Sequence, residues 1–292
     1  MTLLVTGAGG KLGRRVVEIL LETEAGKVIA TTRSPGKLAD LVARGVEVRG
    51  ADFDDPASLA QAFAGAERML LVSTDALHEP GLRLRQHRAA IAAAEKAGVR
   101  HVVYTSAPSP HPTPESSLID DHFWTEHTLA ASGLEWTILR HNIYAEILLL
   151  GLPRAVASGN LVTATGIGGR SYVTREDCAR TDAAALASGR GRQILDVSGP
   201  AAVTQAEIAA IASGLTGRSV AHVDIDPSAL REGLLGGGLP PFMADALVAF
   251  DVAAAEGRHA IVAPTVKVLT GRDPGSVRDF LAAHRTTLTA AA

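Results

Sequence analysis

Short apolar, β-branched runs alternate with segments of helical periodicity as far as Gly199-Pro200. Leu3–Thr6, Val28–Thr32, Val46–Ala51, Met69–Ser73, His101–Ser106, Trp136–Arg140 and Gln193–Ser198 read as strands. Arg14–Leu21, Pro35–Arg44, Ser58–Phe63, Leu82–Ala97 and Ile119–Ser132 read as the helices between them. The strand segments are continuously apolar rather than alternating, as strands buried on both faces are. This order predicts an α/β fold, a Rossmann-like doubly wound parallel sheet with helices on both sides. Gly98 and Gly133 follow two of the helices, where a left-handed terminal residue is favoured.

Beyond Gly199-Pro200 the texture changes. Thr204 and Glu207 form a capping box that opens a helix through Leu215. Pro227–Leu235, Pro241–Ala255 and Ser276–His284 continue a mainly helical tail, broken by Gly236-Gly237-Gly238 and Pro240-Pro241. The division predicted is a nucleotide-binding domain over 1–150, with a returning strand near 193–198, and a smaller C-terminal lobe over 151–292. In such folds a lobe of this kind covers the carboxyl edge of the sheet, where ligands bind. Residues 286–292 are expected to fray.

Composition narrows the function classes. The chain has 292 residues, 47% of them hydrophobic, enough for one large or two unequal domains. A net charge of −3 gives no basic face for nucleic acid. The densest basic stretch, Arg83, Arg85, His87 and Arg88, reads as a solvated helix face or a local cofactor contact. A single cysteine, Cys178, excludes an intramolecular disulfide and a thiolate zinc site, and reads as a small buried side chain. The longest apolar candidate, Ile147–Leu152, is far too short to span a membrane, and the first residues lack the parts of a signal peptide. The expectation is a cytoplasmic protein acting on a small molecule, without nucleic acid, membrane or metal; a homodimer stays open.

Thr6-Gly7-Ala8-Gly9-Gly10-Lys11-Leu12-Gly13 lies between the first strand and the first helix. Gly7 permits the sharp turn, Gly10 a close approach of backbone to pyrophosphate, and Gly13 a close packing of helix on strand. Helix-start N–H groups and the macrodipole favour the anion. The spacing lacks the Gly-Lys-Ser/Thr of a P-loop. The second strand ends Thr32-Arg33-Ser34-Pro35-Gly36-Lys37, with no carboxylate to accept from a ribose 2′-hydroxyl. Arg33, helped by Lys37, fits a 2′-phosphate, so the expected cofactor is NADPH rather than NADH. Asp52 can accept from the adenine amino group, and Phe53 either contacts the ring or packs. Asp54, Asp55 and Pro56 read as a helix cap and first turn. Ser73, Thr74 and Thr105 complete the cofactor side. Gly166-Ile167-Gly168-Gly169 reads as a turn.

With these landmarks, and with Gln86-His87-Arg88, Tyr104-Thr105-Ser106, His122-x-x-x-Glu126, Thr137-Ile138-Leu139-Arg140 and Tyr144-Ala145-Glu146, the chain resembles the atypical short-chain dehydrogenases of the NmrA-like group. It is most similar to the type 2 NAD(P)H:quinone oxidoreductases. The resemblance implies NADPH binding and two-electron reduction of quinones.

Short-chain dehydrogenases of the usual kind use a serine with Tyr-x-x-x-Lys. Ser106 ends a strand where that serine belongs, but the following helix, around Ile119–His127, has neither Tyr nor Lys. Quinones need less acid assistance, because hydride addition gives a stabilised hydroquinone anion and positioning supplies much of the rate. The candidate catalytic residues are Tyr144, Ser106 and His122, with Ala107, Asn142 and Phe242 lining the substrate. Tyr144 reads as a hydrogen-bond donor or stacking ring, or as a core aromatic. His122 and Glu126 are one helical turn apart and can share a face; His122 can also donate a proton. The loop Pro108–Pro114 follows Ser106 and should shape the pocket. No feature points to flavin. Three readings stay open: an NADPH-dependent quinone, conjugated or carbonyl reductase; a non-catalytic NADP(H) sensor; and an enzyme of a specialised metabolite.

Overall fold

A computed structural model of the protein describes residues 1–113 and 118–290. Pro114, the end of the proline-rich loop, and Ala291–Ala292 of the tail lie outside the described residues. The chain opens β1 (Thr2–Val5), α1 (Lys11–Glu22), β2 (Lys27–Thr32), α2 (Ala39–Val42), β3 (Glu47–Gly50), α3 (Pro56–Phe63), β4 (Arg68–Leu71), α4 (Leu82–Lys96), β5 (His101–Ser106), α5 (Leu118–Ala131) and β6 (Glu135–His141). It continues α6 (Leu148–Ser158), β7 (Asn160–Thr163), β8 (Gly169–Arg170), α7 (Arg175–Ser188), β9 (Arg192–Val197), β10 (Val203–Thr204), α8 (Gln205–Thr216) and β11 (Ala221–Asp224). The last elements are α9 (Pro227–Gly236), α10 (Pro241–Ala255), α11 (Thr265–Thr270), α12 (Val277–Ala283) and α13 (Arg285–Thr289).

Two interleaved units emerge. The first holds residues 1–141, 176–195 and 265–271; the second holds 142–175, 196–264 and 272 onward. In the first, the predicted α/β architecture is present as a seven-stranded sheet in the order β3-β2-β1-β4-β5-β6-β9. The β2–β3, β1–β2, β1–β4, β4–β5 and β5–β6 pairs are all parallel. Every residue of β5 is buried, which is why its sequence reads as an unbroken run. Leu59, Phe63, Ile91, Tyr104 and Leu129 form the core between this sheet and α3, α4 and α5.

Strand order reverses between β1 and β4, the topological switch point where ligands of such sheets bind. Thr6 fastens the two exits there. Its N–H donates to the Leu70 carbonyl at 3.0 Å, and its Oγ1 accepts the Val72 N–H at 2.9 Å. Helix α7 was not foreseen from the sequence. It is anchored by Arg15 on Glu176 at 2.8 Å and by Arg68, which donates to the carbonyls of Ala185 and Leu186.

The second unit has its own core, in which Leu152 and Val156 of α6, Ile208 and Ile211 of α8, Leu281 of α12 and Leu288 of α13 meet. It is less purely helical than its texture suggests, since β7 pairs with β11 and β8 with β10. The capping box is present: Thr204 Oγ1 accepts the Glu207 N–H at 3.2 Å, and the Glu207 carboxylate accepts the Thr204 N–H at 2.8 Å. The second glycine run is a turn leading into β8. The expected fraying of 286–292 gives way to α13 over Arg285–Thr289, because Leu288 is buried. Among the described residues no helix is long and apolar enough to cross a membrane.

Gly214 lies inside α8, is exposed, and a Cβ there meets nothing within 4 Å. Gly214→Ala is expected to raise the unfolding free energy by about 0.5–1 kcal/mol, by the helix propensity difference alone. Urea unfolding with an unchanged m-value checks this.

Candidate active site

Gly7 leaves β1 in the left-handed region, at φ +63°, and its carbonyl accepts the Gly10 N–H at 2.9 Å. Gly10 caps α1 without a side chain, and the first turn of α1 carries no acidic residue. The N–H groups opening this helix therefore face outward with their positive end uncompensated, a ready anion site. A Cβ on Gly13 would lie 2.6 Å from the Gly7 carbonyl oxygen, one on Gly10 3.3 Å from the same atom, and one on Gly9 2.8 Å from Thr32 Oγ1. Gly7, Gly9, Gly10 and Lys11 are exposed. Leu12 and Gly13 are buried, so Leu12 offers a ligand its backbone while its side chain serves the core. This cradle is open where a pyrophosphate would lie and closed to any side chain that would fill it.

Arg33 and Lys37 are exposed just beyond β2, and neither has an ion-pair partner among the described residues. Asp52 Oδ1 accepts the Asp54 N–H at 3.1 Å, and Asp55 caps α3 through the Ala57 N–H. Phe53 is half-buried and packs on the core. Thr105 joins the exits of β4 and β5: its Oγ1 accepts the Ser73 N–H at 2.9 Å and donates to Ser73 Oγ at 3.3 Å. Both backbone groups of Thr74 are held. Its N–H donates to His87 Nε2 at 3.0 Å and its carbonyl accepts from Arg83 Nε at 2.7 Å. Thr74 Oγ1 is buried with no hydrogen-bond partner among the described residues.

Two of these holders correct the reading of the basic stretch as a solvated face. Arg83 and His87 are buried, and only Arg85 and Arg88 are exposed. His122 belongs to the same network. Its Nε2 is 2.9 Å from Arg83 Nη2 and its Nδ1 is 2.7 Å from the Tyr104 hydroxyl. A guanidinium only donates, so Nε2 accepts and Nδ1–H donates to Tyr104. Burial and the Arg83 charge push both His122 and His87 well below the usual imidazole range. A neutral imidazole with both nitrogens engaged does not suit a proton donor, so that expectation for His122 is corrected.

The expected His122–Glu126 pair is absent too. Ser106 Oγ donates to Glu126 Oε1 at 2.7 Å, and Arg140 grips the same carboxylate from Nε at 3.0 Å and Nη2 at 2.6 Å. This fork geometry is the strong form of such a pair. The single Ser106 proton is thus committed to Glu126, leaving Ser106 to accept, beside a buried Ala107. The sequence names Arg83 only within the basic stretch and Tyr104 and Arg140 only as landmarks; their place in this network comes from the fold.

The other candidates belong to the second unit. Asn142 Nδ2 donates to the His259 carbonyl at 3.1 Å, and its Oδ1 accepts the Ile143 N–H at 2.8 Å. Its amide shapes the backbone rather than lining a substrate. Tyr144 is half-buried, with the Arg175 guanidinium 5.2 Å from its ring centroid, in cation–π contact. Phe242 opens α10 and is 53% exposed.

The model of a family described as NAD(P)H-binding matches residues 7–188, from the first glycine of the cradle to the end of α7. The chain belongs to the NAD(P)H-binding family. Within that family it is 36% identical to quinone oxidoreductase 2 of Escherichia coli over 255 residues, 87% of this chain and 88% of that one. It is 29% identical to the NAD(P)H azoreductase of Xenophilus azovorans over 97% of both chains. The crystal structure of the E. coli NADPH-dependent quinone oxidoreductase complexed with NADPH superposes with a TM-score of 0.90 at 33% identity, covering 97% of this chain and 99% of that one. The resemblance drawn from the sequence landmarks holds. As an NAD(P)H-binding family member of the oxidoreductase class, the chain carries its cradle where the family match begins.

Proposed function

We propose that the chain is an NADPH-dependent reductase that delivers a hydride, without flavin, to a quinone or a similar small conjugated or carbonyl electrophile. The observation that carries this reading is the uncapped glycine cradle at the switch point, with Arg33 and Lys37 exposed beyond β2 and without an ion-pair partner among the described residues. Gly7, Gly9, Gly10, Lys11, Leu12 and Gly13 would hold the pyrophosphate, and Arg33 with Lys37 the 2′-phosphate. Asp52 and Phe53 would border the adenine; Ser73, Thr74 and Thr105 the ribose side. When bound, the nicotinamide supplies the hydride.

The names of the relatives support the class of acceptor. The quinone part of the reading is supported by Ser106, whose proton is held by Glu126. A site with its serine locked favours acceptors whose reduced oxygen is stable as an anion.

NADPH oxidation followed at 340 nm on adding simple quinones tests the reading, and no turnover across a quinone and enone panel overturns it in favour of a sensor. Arg33→Ala is expected to raise the KM for NADPH about tenfold to a hundredfold while leaving the KM for NADH within about twofold, since a charged hydrogen-bonded fork is removed from one cofactor only. Equal KM values for the two cofactors in the wild-type protein would sink the assignment of NADPH.

A further inference from the structure

The outer faces of α4 and α5 lie side by side in the first unit. On α4, Arg85, Arg88, Ala92 and Glu95 are exposed; on α5, Trp124, His127 and Ala131 are. Spacings of three and four residues put each set on one helical face. A groove of about 420 Å³ runs between the helices, with Arg88, Ala92 and Glu95 on one wall and Trp124 and Ala131 on the other. Trp124 is 40% exposed, and its ring packs on Phe123 and His127 at centroid distances of 5.0 and 5.6 Å. A lone exposed apolar side chain is ordinary. An indole fixed beside an open groove is an anchor of the kind that interfaces use.

The charges on this face narrow the partner. Arg88 has no ion-pair partner among the described residues. Glu95 Oε1 accepts the Gly133 N–H at 2.7 Å, which fixes the carboxylate and leaves its other oxygen for a cation. One charge of each sign around a small apolar centre suits neither nucleic acid nor an anionic membrane, both of which call for a basic face. It suits a protein surface that presents the same groups in reverse order. The face itself is such a surface. Arg88 and Glu95 are seven residues apart, and so are Trp124 and Ala131. Seven residues are about two helical turns, roughly 10.5 Å. A two-fold axis that sets each helix antiparallel to its copy therefore brings Arg88 to Glu95 of the second copy, and Glu95 to Arg88 of the second copy. It also sets a large ring, Trp124, against a small residue, Ala131, twice over.

We propose that two copies of the chain associate through this α4–α5 face. Trp124 of each copy enters the groove of the other over Ala131, Ala92 lets the backbones approach, and the Arg88–Glu95 pairs fix the register at the rim. The 15 residues of α4 and 14 of α5 make helices about 21 Å long and, with side chains, about 10 Å wide. Two of them present a patch about 20 Å square, below the roughly 800 Å² per partner of a standard interface, so the association is micromolar rather than nanomolar. The inference is independent of the reductase reading.

Sedimentation velocity of the full chain between about 1 and 200 μM tests this, and a monomer–dimer equilibrium with a micromolar Kd is expected. Trp124→Asp is expected to raise that Kd about a hundredfold, by putting a charge where the anchor was. Arg88→Glu and Glu95→Arg are each expected to raise it about tenfold, because like charges then face one another across the two-fold axis. An equimolar mixture of these two variants is expected to return to within about threefold of wild type, since every introduced charge then meets its opposite. A general loss of folding could not produce that recovery. A wild type that stays monomeric throughout, a dimer that tolerates Trp124→Asp, or a mixture no tighter than its components overturns the proposal. Should the variants fail to fold, the wild type decides: iodide quenching of indole fluorescence is expected to fall about twofold from the lowest to the highest concentration as Trp124 is covered, and unchanged quenching overturns the proposal.

Discussion

Alanine at position 13 is expected to raise the NADPH dissociation constant about a hundredfold, a loss of about 2.7 kcal/mol. The added Cβ would sit 2.6 Å from the Gly7 oxygen, 2.8 Å from the Gly7 carbonyl carbon and 3.0 Å from the Thr6 oxygen. All three are backbone atoms of a turn that cannot retreat. Gly7 holds φ +63°, its oxygen accepts the Gly10 N–H, and Thr6 is tied to Leu70 and Val72. The helix must therefore move, taking with it the N–H groups that would meet the pyrophosphate. Overpacking of this kind also costs about 1–3 kcal/mol of stability. Gly10→Ala, with its nearest contact at 3.3 Å, is expected to lose less. Fluorescence titration with NADPH, alongside thermal unfolding, separates the two losses. A Gly13→Ala protein binding within about threefold of wild type would show that the cradle is not the cofactor site.

The cradle was legible in the sequence because its steric demands are local: four glycines within thirteen residues, between the first strand and the first helix. The sheet was legible for a related reason, since strands buried on both faces leave unbroken apolar runs. Helices α6 and α7 were not. Pro153 and Gly151 interrupt α6, and α7 buries Cys178, Ala179, Thr181, Asp182 and Ala183, which leave no apolar stripe. The polar network around Tyr104 was hidden differently. His122 and Arg83 are 39 residues apart and Tyr104 and His122 are 18 apart, so only the fold brings them together. The spacing of His122 and Glu126 suggested a pair because helical neighbours can touch. Each found a stronger partner off the helix, a hydroxyl and guanidinium for one and a fork-bound guanidinium for the other. Asn142 reads from the sequence as a pocket liner, yet a buried amide there must first satisfy backbone groups.

The same buried histidines should make the protein acid-sensitive, with the unfolding free energy several kcal/mol lower at pH 5 than at pH 7. Burial, reinforced by Arg83, keeps His87 and His122 neutral well below pH 6.5. Burial, reinforced by Arg68, holds His101 down at about 4, and burial with Arg170 and Arg258 does the same for His259, also at about 4. In the unfolded chain all four take up protons as the pH falls through about 6.5. The unfolded state then binds more protons than the native one, so stability falls with pH from about 6.5 down to the native values near 4. Each fully shifted histidine contributes about 1.4 kcal/mol per pH unit in that window. Asp121 and Asp182, raised by burial, act in the opposite sense and offset part of the loss. Urea unfolding at pH 7, 6 and 5 checks the slope, and His101→Gln should flatten it by about one proton's worth; a flat profile in the wild type would refute the reasoning. Cofactor affinity of the folded protein should hold over the same range, because the neutral His87 keeps its Nε2 as acceptor of the Thr74 N–H.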